Sequence, residues 1–214
     1  MHASFAIVAI SLPLVLAAPY RLPSNFFRRQ DNASCDLASV QQPTNTLTPP
    51  TAGFELAIIA RGQGTQNYTC ADAASKPVAI GAVADLFNAS CTVASGGLGG
   101  VEEDAVGKHF FPDNTTPEFD IIGLANQRFQ KKENMTAPSG PTDVPWLKLD
   151  AVGAPSALKL VYRLNTKGGV APADCAGQAN SVVTVAYEAE YWVYADPSEL
   201  AAGKTKRSKA MPVA

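Results

Sequence analysis

Apolar and polar residues alternate in three stretches of the chain. The alternation covers residues 54–60, 158–164 and 183–193. Successive side chains of a β-strand point to opposite faces, so a period of two predicts three strands, each with one covered face.

The segments between these strands have weaker patterns. Residues 61–64 have the composition of a turn, so residues 66–70 are expected to return as a short strand. Residues 77–87 are apolar on both faces and fit either a strand or a short alanine-rich helix. Residues 127–134 are polar and fit an edge strand. Further short strands are expected at residues 107–111 and 118–123.

Short strands separated by Gly/Pro turns, without alternating amphipathic helices, indicate an all-β fold. We expect an antiparallel β-sandwich or barrel, built as a single domain with flexible termini. The expected organisation is a signal peptide over residues 1–17, a candidate pro-segment or linker over residues 18–34, the β domain over residues 35–196 and a basic disordered tail over residues 197–214.

The amino-terminal prediction rests on the apolar run of residues 5–16, which is followed by the small residues Ala17 and Ala18. This run is shorter than the roughly 20 residues of a membrane span but has the length of a signal-peptide core. A buried amino-terminal helix or strand is the alternative, although Pro13 would interrupt such a helix. The dibasic pair Arg28-Arg29 is either a second processing site or part of a solvated tail. The sequence thus predicts secretion and no membrane span.

Four cysteines follow the predicted cleavage sites, which favours two disulfides in an exported protein over four buried thiols. Three pairings are open. We favour Cys70–Cys91, which closes a short loop, together with Cys35–Cys175.

Half of the ten asparagines stand in N-x-S/T sequons, and we expect them to be glycosylated at the surface. These asparagines are Asn32, Asn67, Asn88, Asn114 and Asn134.

Composition excludes several classes of protein. The chain is 46% hydrophobic and 17% charged, which argues against a disordered chain or a coiled coil. The formal net charge of -2 gives no electrostatic case for binding nucleic acid. Residues 30–200 carry 10 basic and 19 acidic side chains, whereas the tail after Leu200 carries four basic ones. That tail is expected to be solvated, with contact to an anionic wall polymer or membrane as the alternative.

Candidate chemistry is sparse. His109 is the only histidine outside the leader, and Asp113 and Asp120 follow it closely, so these three residues are weak candidates for a metal site. The alternative is an acidic, solvated loop beside a strand histidine. No G-x-S-x-G elbow occurs, so we assign no catalytic residue and expect no cofactor.

Aromatic residues offer a second type of site. They could present flat faces to sugar rings, although packing in the core is the commoner use of such residues in strands. The four are Trp146, Tyr191, Trp192 and Tyr194. Residues 165–169 are expected to form a surface turn.

Several strings of residues together resemble the domain-of-unknown-function family 3455 over roughly residues 50–195. They are Gly64–Cys70, Ala84–Phe87, Gly107–Phe111, Val144–Leu147, Arg163–Pro172 and Tyr187–Tyr194. The resemblance implies a secreted domain without an established activity or assigned catalytic residues. Fungal members share this layout and are often loosely labelled malate dehydrogenase.

The dehydrogenase label does not fit the residues. A dinucleotide site needs a glycine-rich turn between a strand and a helix, whereas residues 95–100 read SGGLGG, lack the G-x-G-x-x-G spacing and precede an acidic run at residues 102–104. The leading hypothesis is a non-enzymatic extracellular or cell-wall-associated factor, with wall polysaccharide or a host protein as partner. The alternative is an extracellular hydrolase of glycans or esters that uses carboxylates near His109.

Overall fold

The computed structural model describes residues 35–97 and 102–200. The predicted signal peptide, the Arg28-Arg29 pair, the sequon at Asn32 and the basic tail beyond Leu200 lie outside the described residues. None of the helices in the described ranges is both long and apolar enough to cross a membrane.

Eight antiparallel strands form a closed barrel in which each strand pairs with its neighbours in sequence and β8 pairs with β1. The expected all-β antiparallel fold is confirmed, in its barrel form. The elements are β1 Glu55–Cys70, β2 Val78–Asn88, α1 Ser90–Ala94, β3 Ala105–Phe110, β4 Glu118–Ile121, β5 Ala125–Met135, β6 Trp146–Val152, β7 Leu158–Gly168 and β8 Ser181–Ala195.

The predicted turn at residues 61–64 is wrong, because these residues lie within β1, which is a single strand of 16 residues. The glycines in this segment allow neighbouring strands and side chains to approach β1 closely. A Cβ atom on Gly62 would lie 2.5 Å from the ring of Tyr191, and one on Gly64 would overlap the backbone of Val83. Gly-rich composition therefore marks a crowded strand at this point.

Two other expectations also fail for reasons of closure and register. β5 pairs with both β4 and β6, so residues 127–134 are not at an edge. Residues 165–168 belong to β7, where the register with β8 shifts between Leu164 and Lys167 and Asn165 adopts a φ of 47°. A bulge, rather than a surface turn, explains their composition.

Apolar side chains cover both faces of β7 and β8, so the expectation of one covered face is wrong for them. The inner cluster lies inside the barrel and includes Phe119, Phe129, Val161, Tyr191 and Val193. The outer cluster lies on the outside of the barrel and is covered by the segment before β1 and by α1. Its buried members are Leu47, Ile59, Ala89, Ala137, Trp146, Leu160, Tyr162, Leu164, Trp192 and Tyr194.

Both disulfides form, but the favoured pairing is wrong. The bonds join Cys35 to Cys91 and Cys70 to Cys175, with Cα–Cα distances of 5.2 and 5.6 Å. Cys70 ends β1 and Cys91 follows β2, so the length of the β1–β2 hairpin separates these two residues. Short sequence separation was therefore a poor guide to proximity.

Candidate functional site

One end of the barrel opens into a cavity of about 460 Å³. Inward-facing side chains of several strands form its wall, and small residues of β2 leave space at its mouth. The wall includes Gln66, His109, Lys131, Leu149, Arg163 and Tyr191. The opposite end is filled by apolar members of the inner cluster, against which Leu200 packs.

Arg163 brings a positive charge into this cavity. It is 9% exposed, and its Nε and Nη2 atoms donate hydrogen bonds to the same carbonyl oxygen, that of Pro145, at 3.2 and 2.8 Å. Within residues 35–97 and 102–200 it forms no ion pair with a carboxylate. None of the described residues that line the cavity is Asp or Glu. A buried guanidinium without an anionic partner is costly, so its presence here requires a reason.

Gln66 contributes a buried amide group that lies close to the Tyr187 hydroxyl. The residue is 9% exposed, and its Nε2 atom is buried without a well-formed hydrogen bond. Its Cγ lies beside Gly169, where an added Cβ would approach it to 3.0 Å, so the aliphatic part of the side chain is closely packed. Leaving a buried amide donor unsatisfied costs about 1–3 kcal/mol.

Two tyrosines connect these polar groups. The hydroxyls of Tyr187 and Tyr191 lie 2.7 Å apart and form a hydrogen bond. Burial raises the pKa of both phenols, while the charge of Arg163 acts in the opposite direction on each pKa. Both hydroxyls therefore stay protonated near neutral pH and serve as neutral hydrogen-bonding groups.

His109 is also a neutral member of the wall. Burial lowers its pKa from 6.5 to about 3, although the hydrogen bond to Glu118 acts in the opposite direction. Nδ1 donates to the Glu118 carbonyl oxygen at 3.0 Å, which leaves Nε2 as the acceptor. The ring stacks on Phe119 with centroids 4.2 Å apart. His109 thus adds an aromatic surface without adding charge.

The structure does not bring the two predicted carboxylates to His109. Asp113 is exposed and accepts hydrogen bonds from Thr115 and Thr116, which hold the pKa of its carboxyl well below the usual value. Asp120 is exposed on β4, opposite Lys108 of β3. The described ranges contain no group of three or more His, Cys, Asp or Glu residues that could hold a metal ion.

The four candidate sugar-binding aromatics are packed in the protein. Trp146, Trp192 and Tyr194 belong to the outer cluster, and Tyr191 belongs to the inner one. Their rings are buried, so they do not form an exposed platform for a polysaccharide.

Sequence reasoning missed Gln66 and Arg163. Alternation over residues 158–164 predicts one covered face, which holds Tyr162 and Leu164 and places Arg163 on the other face. The useful signal was Val161, an apolar residue on the same face as Arg163. A polar side chain on that face can reach the barrel interior only if the sheet closes, and local alternation does not reveal closure.

Four of the five sequon asparagines lie in the described ranges. Asn114 and Asn134 are exposed and line the mouth of the cavity. Asn67 and Asn88 are half-buried and take part in hydrogen bonds with Thr65 and with Glu102, respectively.

Every strand pair of the barrel is antiparallel, so the described residues contain no parallel strand–helix–strand unit of the kind that binds dinucleotides. Comparison with curated proteins and with solved structures found no match. One family model does match, over residues 50–195, which is most of the barrel. The chain therefore belongs to the family described as Protein of unknown function (DUF3455).

Proposed function

We propose that this protein is a secreted, N-glycosylated binding protein that encloses a small organic ligand in the open end of its barrel. The observation that carries the proposal is the cavity of about 460 Å³ with nine-tenths-buried polar groups in its wall. Ligand sites are typically clefts of about 300–1,000 Å³ with an apolar wall and a few polar groups. Eight strands give a barrel interior that can hold one small ligand.

The alternative, a hydrolase that uses carboxylates near His109, has less support. Glycoside hydrolysis needs two carboxyl groups on either side of the scissile bond, and ester hydrolysis through a triad needs an acid that orients the histidine. Nδ1 of His109 instead donates to a backbone carbonyl, and Asp113 and Asp120 lie on exposed positions. Binding without chemistry is the simpler function for this arrangement.

The extracellular part of the proposal rests on three features. These are the apolar leader, the sequons and the two disulfides, which persist mainly in oxidising compartments. Expression in a eukaryotic host should yield a secreted protein cut after Ala17, and its mass should fall by several kilodaltons on glycosidase treatment. An unshifted mass or an uncut amino terminus would contradict this part. Pull-down on chitin, glucan and cell-wall fractions tests the proposed wall association, and pull-down on host proteins tests a host partner.

Binding in the cavity is tested with Nile red, an uncharged dye whose fluorescence rises in apolar surroundings. Ala79 lies at the mouth, whereas Val83 of the same strand is exposed on the outside of the barrel. We expect Ala79→Trp to weaken dye binding by at least about tenfold, equivalent to about 1.4 kcal/mol, and the matched Val83→Trp to leave it unchanged. Equal dye binding by both variants and the unmodified protein would reject the cavity as the binding site.

A further inference from the structure

The wall of the cavity carries one buried positive charge that the described chain leaves without a counter-ion. The guanidinium of Arg163 is held by Pro145 through two of its nitrogens, and no carboxylate of the described residues pairs with it. The guanidinium also lies within hydrogen-bonding reach of the Tyr191 hydroxyl. Its other N–H groups are donors in a fixed planar arrangement that matches a carboxylate. Gln66 adds a buried donor, its Nε2 atom, in the same cavity.

Apart from Lys131 at the mouth, the rest of the described wall is neutral and largely aromatic or apolar. His109 is uncharged near neutral pH, and Phe111 and Tyr191 lie against its ring with centroid distances of 5.3 Å each. Leu147 and Leu149 line the same space. Such a wall favours a flat apolar body next to the charged group.

We propose that the cavity binds a small aromatic monocarboxylate, whose carboxylate oxygens accept hydrogen bonds from Arg163 and Gln66 and whose ring packs against His109 and Phe111. This inference rests on the proposed binding function and names the class of ligand. The one buried cation balances the single negative charge of a carboxylate, and its planar guanidinium matches two oxygens, whereas a phosphate group brings a charge of about -1.5 to -2.

Lys131 extends the positive potential to the mouth of the cavity. It lies opposite Leu149 in the register of β5 and β6, lines the cavity and is exposed. Residues 30–200 are acidic overall, so a cavity that combines Lys131 with Arg163 and has no acidic residue in its described lining is a local exception. A basic entrance on an acidic surface attracts small anions to this point.

The test is displacement of Nile red by two compounds of nearly the same shape, naphthalene-1-carboxylate and naphthalene-1-carboxamide. We expect the carboxylate to bind at least about tenfold more tightly than the amide, because hydrogen bonds to a charged group are stronger than those between neutral groups. Naphthyl phosphate is the third compound, and tighter binding of the phosphate than of the carboxylate would reject the carboxylate assignment.

Two variants test whether Arg163 and Gln66 recognise the carboxylate. Arg163→Gln removes the charge, and Gln66→Glu places a competing carboxylate in the cavity. Each is expected to abolish the preference for carboxylate over amide while Nile red still binds. Circular dichroism identifies a variant that fails to fold, and Gln66→Glu then carries the test alone, because it leaves Arg163 bonded to Pro145.

The outcomes separate the two proposals. If the unmodified protein binds Nile red but does not distinguish carboxylate from amide, or if Gln66→Glu keeps the full preference, the inference about the ligand is wrong and the binding function stands. If Nile red binding does not depend on the cavity mouth, the binding function itself is wrong.

Discussion

The outer and inner clusters of the barrel are both largely apolar, yet the polar groups at the two clusters differ in their hydrogen-bond partners. On the outside, the Tyr162 hydroxyl donates to the carbonyl oxygen of Thr48 at 2.7 Å, and the Tyr194 hydroxyl accepts from Gln42 at 3.0 Å. Both partners belong to the segment that covers this face, whereas Nε1 of Trp146 and Oδ1 of Asp150 form no hydrogen bond with the described residues. The tyrosine hydroxyls of the outer cluster therefore form hydrogen bonds with other parts of the chain.

On the inside, Arg163 and Gln66 are not covered by another segment of the chain in this way. Arg163 lacks a carboxylate partner in the described ranges, the Nε2 atom of Gln66 forms no well-aligned hydrogen bond there, and both residues line the cavity. Polar groups that cost stability are retained where they serve binding or specificity. We infer from this difference that the outer cluster contributes mainly to stability and the inner cavity to the proposed ligand binding, and four predictions test this division.

Removing a disulfide should have the largest effect. In the chain-entropy model, loops of 56 and 105 residues correspond to about 4–5 kcal/mol of stability each. We expect replacement of Cys35 and Cys91 by serine to lower the free energy of unfolding by this amount without changing dye affinity in the folded protein. Replacement of Cys70 and Cys175 by serine should lower both the free energy of unfolding and the dye affinity, because Cys70 ends β1 at the open end of the barrel. Denaturant unfolding measures the free energy of unfolding, and dye titration measures the affinity. Equal effects of the two replacements on dye affinity would contradict the distinction between the outer and inner faces.

Shortening a leucine on each face is the next test. Leu160 in the outer cluster and Leu149 at the cavity are 5% and 3% exposed, so they form a matched pair. Leu→Ala at a buried site costs about 2–5 kcal/mol, and the cost is larger where a new void is left. We expect Leu160→Ala to cost more stability than Leu149→Ala. Only Leu149→Ala should alter dye affinity, and a change caused by Leu160→Ala would show that the faces are not independent.

The contrast between faces also shows what the sequence could and could not provide. The strands of residues 158–164 and 183–193 follow from alternation alone, and an antiparallel all-β fold follows from strand length and turns. The position of Arg163 did not follow, because whether a strand's second face meets solvent or a barrel interior depends on closure with strands distant in sequence. The disulfide pairing failed for the same reason, since Cys70 and Cys175 are 105 residues apart.

Acid should destabilise the inner face through His109. The unfolded chain binds a proton on this imidazole below about pH 6.5, whereas the folded chain does so only below about pH 3. The unfolded state thus holds more protons in this window, and stability falls with falling pH by up to about 1.4 kcal/mol per pH unit. His109→Phe should remove this dependence between about pH 6 and pH 5, above the range in which most carboxylates titrate. Chemical denaturation at several pH values measures the pH dependence of the free energy of unfolding. The same pH dependence in His109→Phe and in the unmodified protein would contradict its attribution to His109.

The smallest effect on stability is expected from Gln66→Leu, and its sign is the most informative. Replacing a closely packed but unsatisfied amide by an apolar side chain of similar size removes the cost of the buried Nε2 atom, so the free energy of unfolding should stay constant or rise by up to about 1 kcal/mol. Leu149→Val, a second conservative change in the same wall, serves as a control and should lower stability slightly. If Gln66 exists for the ligand, Gln66→Leu should nevertheless weaken binding of naphthalene-1-carboxylate while leaving Nile red unaffected. A clear loss of stability would instead mean that Gln66 supports the barrel, and the division between a stabilising outer face and a functional inner one would no longer hold at this residue.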